Sequence, residues 1–147
     1  MKTARRRARE LALQALYQWR LTGYPMVQIE PQLREHKDFG RADADLFERL
    51  VRGVPAEAAA LEALVAPHLD RALEALSPVE RCILLLGAYE LSHCPDTPYR
   101  VVINEAVELA KTFGGTDGYK YVNGVLDKLA PAARAAELRR LAADRRA

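Results

Sequence analysis

The residues in this 147-residue chain most able to do chemistry are cations crowded at its start. Lys2, Arg5, Arg6, Arg7 and Arg9 lie together there, opposed only by Glu10. If the segment is helical, they sit at the positive end of the helix dipole, where each exposed cation costs about 0.3–1 kcal/mol. Mutual repulsion adds to that cost. A polyanion reverses the sign, because phosphates neutralise the cluster and release counterions. On a helical wheel Lys2, Arg5, Arg6 and Arg9 share one arc beside an apolar stripe, so a single phosphate backbone could follow them. The alternative is a solvated basic N-terminus with no partner, since basic runs alone are weak evidence for nucleic acid.

A second candidate lies far along the chain. The turn Phe113-Gly114-Gly115-Thr116-Asp117-Gly118 leads into Tyr119, Lys120 and Tyr121. Aromatic rings interleaved with a lysine suit single-stranded bases, which stack on π faces while the cation meets the backbone. The bland alternative makes Tyr121 a core residue and Tyr119 an ordinary surface tyrosine.

Other chemistries find little support. There is no strand-preceded glycine loop and no Gly-Lys-Ser/Thr for phosphate transfer. Ser77 reads as a helix cap, and Ser92-His93 has no evident third partner for a nucleophilic triad. His36, His68 and His93 are scattered, without metal-ligand spacing. Cys82 and Cys94 are the only cysteines; on one helix they would stand about 18 Å apart at ~1.5 Å per residue, beyond disulfide reach. Glu105 and Glu108 beside Lys111 are explained by ordinary helical pairing. The chain is therefore expected to be no enzyme and to need neither cofactor nor metal.

The elements that must position these residues read as helices throughout. Ala4, Ala8, Leu11, Ala12, Ala15, Leu16 and Trp19 recur at spacings of three and four, predicting a first helix ended by Gly23 and Pro25. A short helix between Pro25 and Lys37 is split or restarted by Pro31. A long pattern from Asp43 to Val65 is kinked or divided at Gly53 and Pro55, and Pro67 opens another short helix through Leu69, Leu73 and Leu76. Ser77-Pro78-Val79-Glu80 has capping-box order, and the helix it starts is apolar on most sides, as a central element would be. A further helix runs from Asp96-Thr97-Pro98 to Lys111 and ends at Gly114-Gly115. Thr116 or Asp117 caps the next, whose Tyr121, Val122, Val125, Leu126 and Leu129 point inward and which Pro131 stops. The tail from Ala132 reads as a frayed helix. The expected fold is an all-α bundle of about seven helices.

Composition agrees with one globular domain, since half the residues are hydrophobic. No apolar run is long enough to span a bilayer, and a charged amphipathic segment stands where a signal peptide needs its apolar stretch. A cytoplasmic protein is expected. The net charge of +2 conceals a split. Residues 1–20 carry six basic side chains against Glu10, net +5, and residues 134–147 carry five arginines against Glu137 and Asp144, net +3. Residues 21–133 hold 11 basic and 17 acidic side chains, net −6. Such a split suggests one anionic partner and one basic partner.

Three stretches carry a resemblance: Arg5-Arg6-Arg7-Ala8-Arg9-Glu10 with Gln14-Ala15-Leu16-Tyr17; Val102-Ile103-Asn104-Glu105-Ala106-Val107-Glu108-Leu109-Ala110-Lys111; and Val122-Asn123-Gly124-Val125-Leu126-Asp127. With Arg52-Gly53-Val54 and Tyr89-Glu90-Leu91 between them, the chain resembles the NusB family of bacterial transcription antitermination factors over about residues 4–130. The resemblance implies two three-helix bundles and binding of the boxA element of ribosomal RNA transcripts together with NusE, a small-subunit ribosomal protein. It implies coupling of that RNA to the transcription elongation complex, no membrane association, and a homodimer when NusE is absent. By position, Arg5, Arg6, Arg7, Arg9 and Gln14 would contact RNA from the first helix, and Phe113, Asp117, Lys120 and Tyr121 from the junction between the sixth and seventh. Tyr17, Glu74 and Glu80 would face NusE. Tyr121 stands where the family has phenylalanine, and Gly118 where it has a more polar residue. The domain would span 1–131, with 132–147 a basic tail. A protein-interaction adapter that does not bind RNA is the competing reading.

Overall fold

The computed structural model describes residues 2–146; Met1 and Ala147, the outer limits of the expected domain and tail, lie outside the described residues. Thr3 opens α1 (Ala4–Thr22), its hydroxyl accepting from the Arg6 N–H at 3.0 Å. Gly23 ends the helix in the left-handed conformation, φ 72°, donating to the Trp19 carbonyl at 3.0 Å. Between these caps Ala8, Leu11, Ala12, Ala15 and Leu16 are buried, while Ala4 at the edge of the stripe stays exposed.

α2 (Met26–Arg34) and α3 (Ala44–Ala56) pack with α1 as the first three-helix bundle. Asp43 caps α3 by accepting from the Leu46 N–H, and its own N–H donates to the Ala4 carbonyl at 2.9 Å. That bond fixes where α1 begins. α5 (Pro78–His93), α6 (Tyr99–Phe113) and α7 (Gly118–Ala133) form the second bundle, with α4 (Ala58–Val65) against α5 and α8 (Ala135–Arg146) against α7. The expected all-α architecture of two three-helix bundles is what the chain adopts, with eight α-helices among the described residues.

α5 is buried continuously from Cys82 to Leu91, as its all-round apolar sequence requires. Each large aliphatic side chain there contributes about 1.5–3 kcal/mol by leaving water. Gly53 permits α3 to lie directly on α5, for a Cβ would collide with the Tyr89 ring. Two separate sequence motifs thus meet in one contact.

Four expectations about element ends need correction. Pro31 lies inside α2 without splitting it; the donor it lacks would serve the Val27 carbonyl, in a residue 77% exposed, where water can substitute. Pro67 opens only a 3₁₀ turn, Ala66–His68, followed by another at Leu73–Ala75. Of that segment's leucines only Leu76 is buried, too little apolar surface to stabilise a helix. Pro131 does not stop α7, which runs on to Ala133. The tail is not frayed: Arg134 is buried and donates to the carbonyls of Glu90, Leu91, Cys94 and Thr97 at 2.7–3.0 Å. The Glu90 and Cys94 carbonyls also accept the Cys94 and Thr97 N–H groups, but those of Leu91 and Thr97 have Arg134 as their donor, and α8 starts from that anchor.

Candidate nucleic-acid interface

The α1 cations have unequal surroundings. Arg5 donates to the Thr97 hydroxyl at 3.1 Å and stands 3.6 Å from the Asp43 carboxylate, yet its side chain is still half exposed. Arg6 pairs with both oxygens of Glu105 on α6, at 2.9 and 3.3 Å, and that hydrogen bond raises its pKa further. Arg7 and Gln14 carry no side-chain hydrogen bond or ion pair among the described residues, and Gln14 is exposed. Lys2 pairs with Glu10 at 2.9 Å.

Arg9 is a correction. Its guanidinium makes a two-pronged pair with Glu90 of α5, both bonds 2.9 Å, and both side chains are 3% exposed. Burial by itself depresses the Arg9 pKa, but the Glu90 hydrogen bonds and charge more than offset it. A phosphate outside the protein has no access to this group. Arg9 welds α1 to α5, and the helical wheel that placed it among the outward cations could not reveal a carboxylate 81 residues away.

At the other candidate region Gly114 ends α6 by donating to the Ala110 carbonyl at 2.8 Å, and Asp117 turns the chain into α7 with φ 65°. Asp117 occupies the cap position, but its side chain makes no cap bond and instead stands 3.3 Å from Lys120. Gly118 lies so close to Glu80 that a Cβ would come within 2.6 Å of its carboxylate. A larger residue at this position would have to displace the end of the Glu80 side chain. Phe113 is 39% exposed. Tyr121 is half-buried: its hydroxyl donates to Asp70 at 3.1 Å and accepts from the Asp70 N–H at 3.4 Å, while Arg71 lies 4.7 Å over its ring. Burial pushes the phenol pKa up.

α6 joins the two regions. Lys2, Arg6 and Glu10 line a small cleft with Glu105, Glu108, Leu109 and Thr112, so the basic end of α1 lies along α6 to the residue before Phe113. Beyond it, Lys111 and Lys120 approach the Tyr119 ring at 5.2 and 5.9 Å. Tyr119 was one of the rings the sequence offered for bases, but Lys111 was not among the expected contacts. Their helices bring them together, and no spacing within either helix signals it.

Of the expected partner-facing residues, Tyr17 is 36% exposed, Glu74 is exposed, and Glu80 accepts from the Ser77 hydroxyl at 2.7 Å. One turn from Tyr17, Arg20 shares a Glu62 oxygen with Arg81, at 3.1 and 3.0 Å. Elsewhere, Cys82 and Cys94 are free and buried, and burial pushes the Cys82 thiol up to about 11. No group of three or more possible metal ligands occurs among the described residues, and no described helix is long and apolar enough to cross a membrane.

The model of the NusB family matches residues 6–131. This chain belongs to the NusB family. Transcription antitermination protein NusB of Paraburkholderia phytofirmans is 59% identical over 137 residues, covering 93% of this chain and 95% of that protein. The NusB of Paraburkholderia xenovorans is 61% identical over 129 residues, 88% of this chain and 90% of its own. Among solved structures, T. maritima NusB superposes with a TM-score of 0.77 at 33% identity, covering 88% of this chain and 92% of that one. A crystal structure of antitermination factors NusB and NusE in complex with dsRNA superposes at TM-score 0.76 and 27% identity, covering 86% and 96%. The matched residues take in α1 from Arg6 onward and the α6–α7 junction, and α8 lies beyond them.

Proposed function

We propose that this chain is a transcription antitermination factor that binds boxA-type RNA of ribosomal RNA transcripts together with NusE and couples that RNA to the elongating polymerase. The observation that carries this reading is the cleft along α6 that brings Lys2 and Arg6 up to Thr112, with Lys111 and Lys120 about the Tyr119 ring at the α6–α7 junction, in a chain of the NusB family. Arg5, Arg6, Arg7 and Gln14 would hold the RNA backbone, with Phe113, Lys120 and Tyr121 at the bases. NusB relatives in the solved complex with NusE and RNA support both partners. Tyr17, Glu74 and Glu80 would receive NusE through the acidic middle of the chain. Residues 1–131 would carry both surfaces, residues 132–147 a basic appendage, and the cytoplasm would be the working compartment. In the absence of NusE the same face would support a homodimer.

The adapter reading, without RNA, draws on one observation: Arg5 and Arg6 already have acidic partners inside the protein. Retention of a labelled boxA oligonucleotide on nitrocellulose, with and without NusE, decides between them. RNA retained by the chain, and retained more strongly with NusE, is the expected result. Binding of NusE with no retained RNA would establish the adapter.

A further inference from the structure

Eleven of the chain's arginines pair with an acidic side chain or donate to a carbonyl. Arg7, Arg100, Arg139, Arg140, Arg145 and Arg146 have no such partner among the described residues. Two of them, Arg100 and Arg145, come together where the start of α6 faces α8. There, a cleft of about 310 Å³ is lined by Tyr99, Arg100, Leu141, Asp144 and Arg145, a volume at the low end of small-ligand sites. The Arg100 guanidinium lies 5.4 Å over the Tyr99 ring, and Leu141 is 39% exposed.

The cleft walls are fixed from inside. The Tyr99 N–H donates to Glu137 of α8 at 3.1 Å, Glu137 pairs with buried Arg134, and Arg134 holds the Thr97 carbonyl at 2.8 Å. Glu137 is thus committed to the interior, leaving Asp144 as the one carboxylate on the cleft. Thr97 also accepts from Arg5 through its hydroxyl, so the cleft adjoins the α1 cations. An apolar face and an aromatic ring flanked by two unpaired guanidinium groups suit a base and its phosphate together.

The geometry points to a second single-stranded RNA subsite between α6 and α8, in which Arg100 and Arg145 take a phosphate and Tyr99 with Leu141 takes a base of the sequence flanking boxA. This inference rests on the RNA-binding reading above. Arg145 lies outside residues 6–131, so the subsite belongs to this chain's own C-terminal helix.

The test uses the full chain and two RNAs: a minimal boxA oligonucleotide, and the same oligonucleotide with ten unstructured nucleotides on each side. The parent should bind the flanked RNA at least about fivefold more tightly, as one stacked base requires. Arg100→Gln combined with Arg145→Gln should abolish that advantage and leave minimal boxA binding unchanged. It should also lower the magnitude of the salt slope for the flanked RNA by about 0.7, one single-strand phosphate. Both side chains are exposed, and an unchanged melting temperature confirms the fold. A parent that binds minimal boxA with no gain from the flanks overturns the subsite alone, whereas a parent that binds neither RNA overturns the RNA reading with it. Equal loss on both RNAs, or poly-glutamate competing as well as flanked RNA, means that the cleft attracts negative charge without forming a subsite, and also overturns the inference.

Discussion

Replacing Arg6 by alanine removes a guanidinium whose side chain is 37% exposed and held by one carboxylate. RNA affinity should fall across all sequences, and the magnitude of the log K versus log[salt] slope should drop by about 0.7. Glu105→Gln should act oppositely, because it releases Arg6 for phosphate. An unchanged slope in Arg6→Ala would remove the phosphate assignment. Arg9→Ala belongs to a different class: it leaves Glu90 charged and buried, which costs about 3–5 kcal/mol. Its thermal midpoint should collapse, and any loss of RNA binding should track the unfolded fraction. At the junction, Asp117→Asn should tighten RNA binding by removing a charge that repels phosphate and occupies Lys120. Asparagine tolerates φ 65°, so stability should barely move. Tyr121→Phe should cost about 0.5–1.5 kcal/mol in stability for the lost Asp70 bond, with RNA affinity retained. Tyr121→Leu, which removes the ring, should weaken RNA binding; parental affinity in a folded Tyr121→Leu protein would make the residue purely structural.

At the scale of elements, the α5 terminus depends on a side chain from beyond α7. Arg134→Gln should leave the buried carbonyls of Leu91 and Thr97 without a donor and Glu137 without its cation. The expected loss is about 3 kcal/mol or more, measured by urea unfolding, at 1–3 kcal/mol for each group left unsatisfied. An unaltered unfolding midpoint would mean that water replaces the guanidinium and that α8 is anchored some other way. The acidic element faces another test. Glu74→Lys with Glu80→Lys should slow association with NusE and reduce its dependence on ionic strength, since charge complementarity acts mainly on encounter. Glu80→Gln keeps the bond to Ser77 and separates capping from recognition. An association rate insensitive to the double reversal would move the partner to a different face.

Across the whole molecule, glutamates clipped between helices predict the acid limit of stability. The Arg52 hydrogen bond holds Glu30 below the ordinary value of about 4.3. For Glu62 burial pushes upward, but the bonds from Arg81 and Arg20 prevail, and for Glu137 the Tyr99 N–H and Arg134 do the same. Carboxylates with depressed folded-state values stabilise the fold fully above their unfolded values and lose that contribution as pH falls through the folded ones. Thermal midpoints should therefore hold steady from pH 7 to about 5.5 and fall progressively below about pH 4.3. A midpoint that stays flat to pH 3 would show that these ion pairs contribute nothing net.

What the sequence determined by itself is local. Thr3, Gly23, Asp43 and Ser77 end helices where their side chains or backbone freedom satisfy unpaired backbone groups, and the period of the apolar residues makes every long element a helix. The three quoted stretches placed the chain in its family. Tertiary structure decided which charges are free. Arg6 and Arg9 look alike in the sequence, but one meets Glu105 at the surface and the other Glu90 in the interior. Helices α2 and α7 run on through Pro31 and Pro131 because both prolines are exposed and water can serve the carbonyl each leaves without a donor, and Lys111 reaches Tyr119 only because α6 and α7 lie side by side. Periodicity encodes which face of a helix is apolar; the partner of a given cation depends on how helices distant in sequence are brought together.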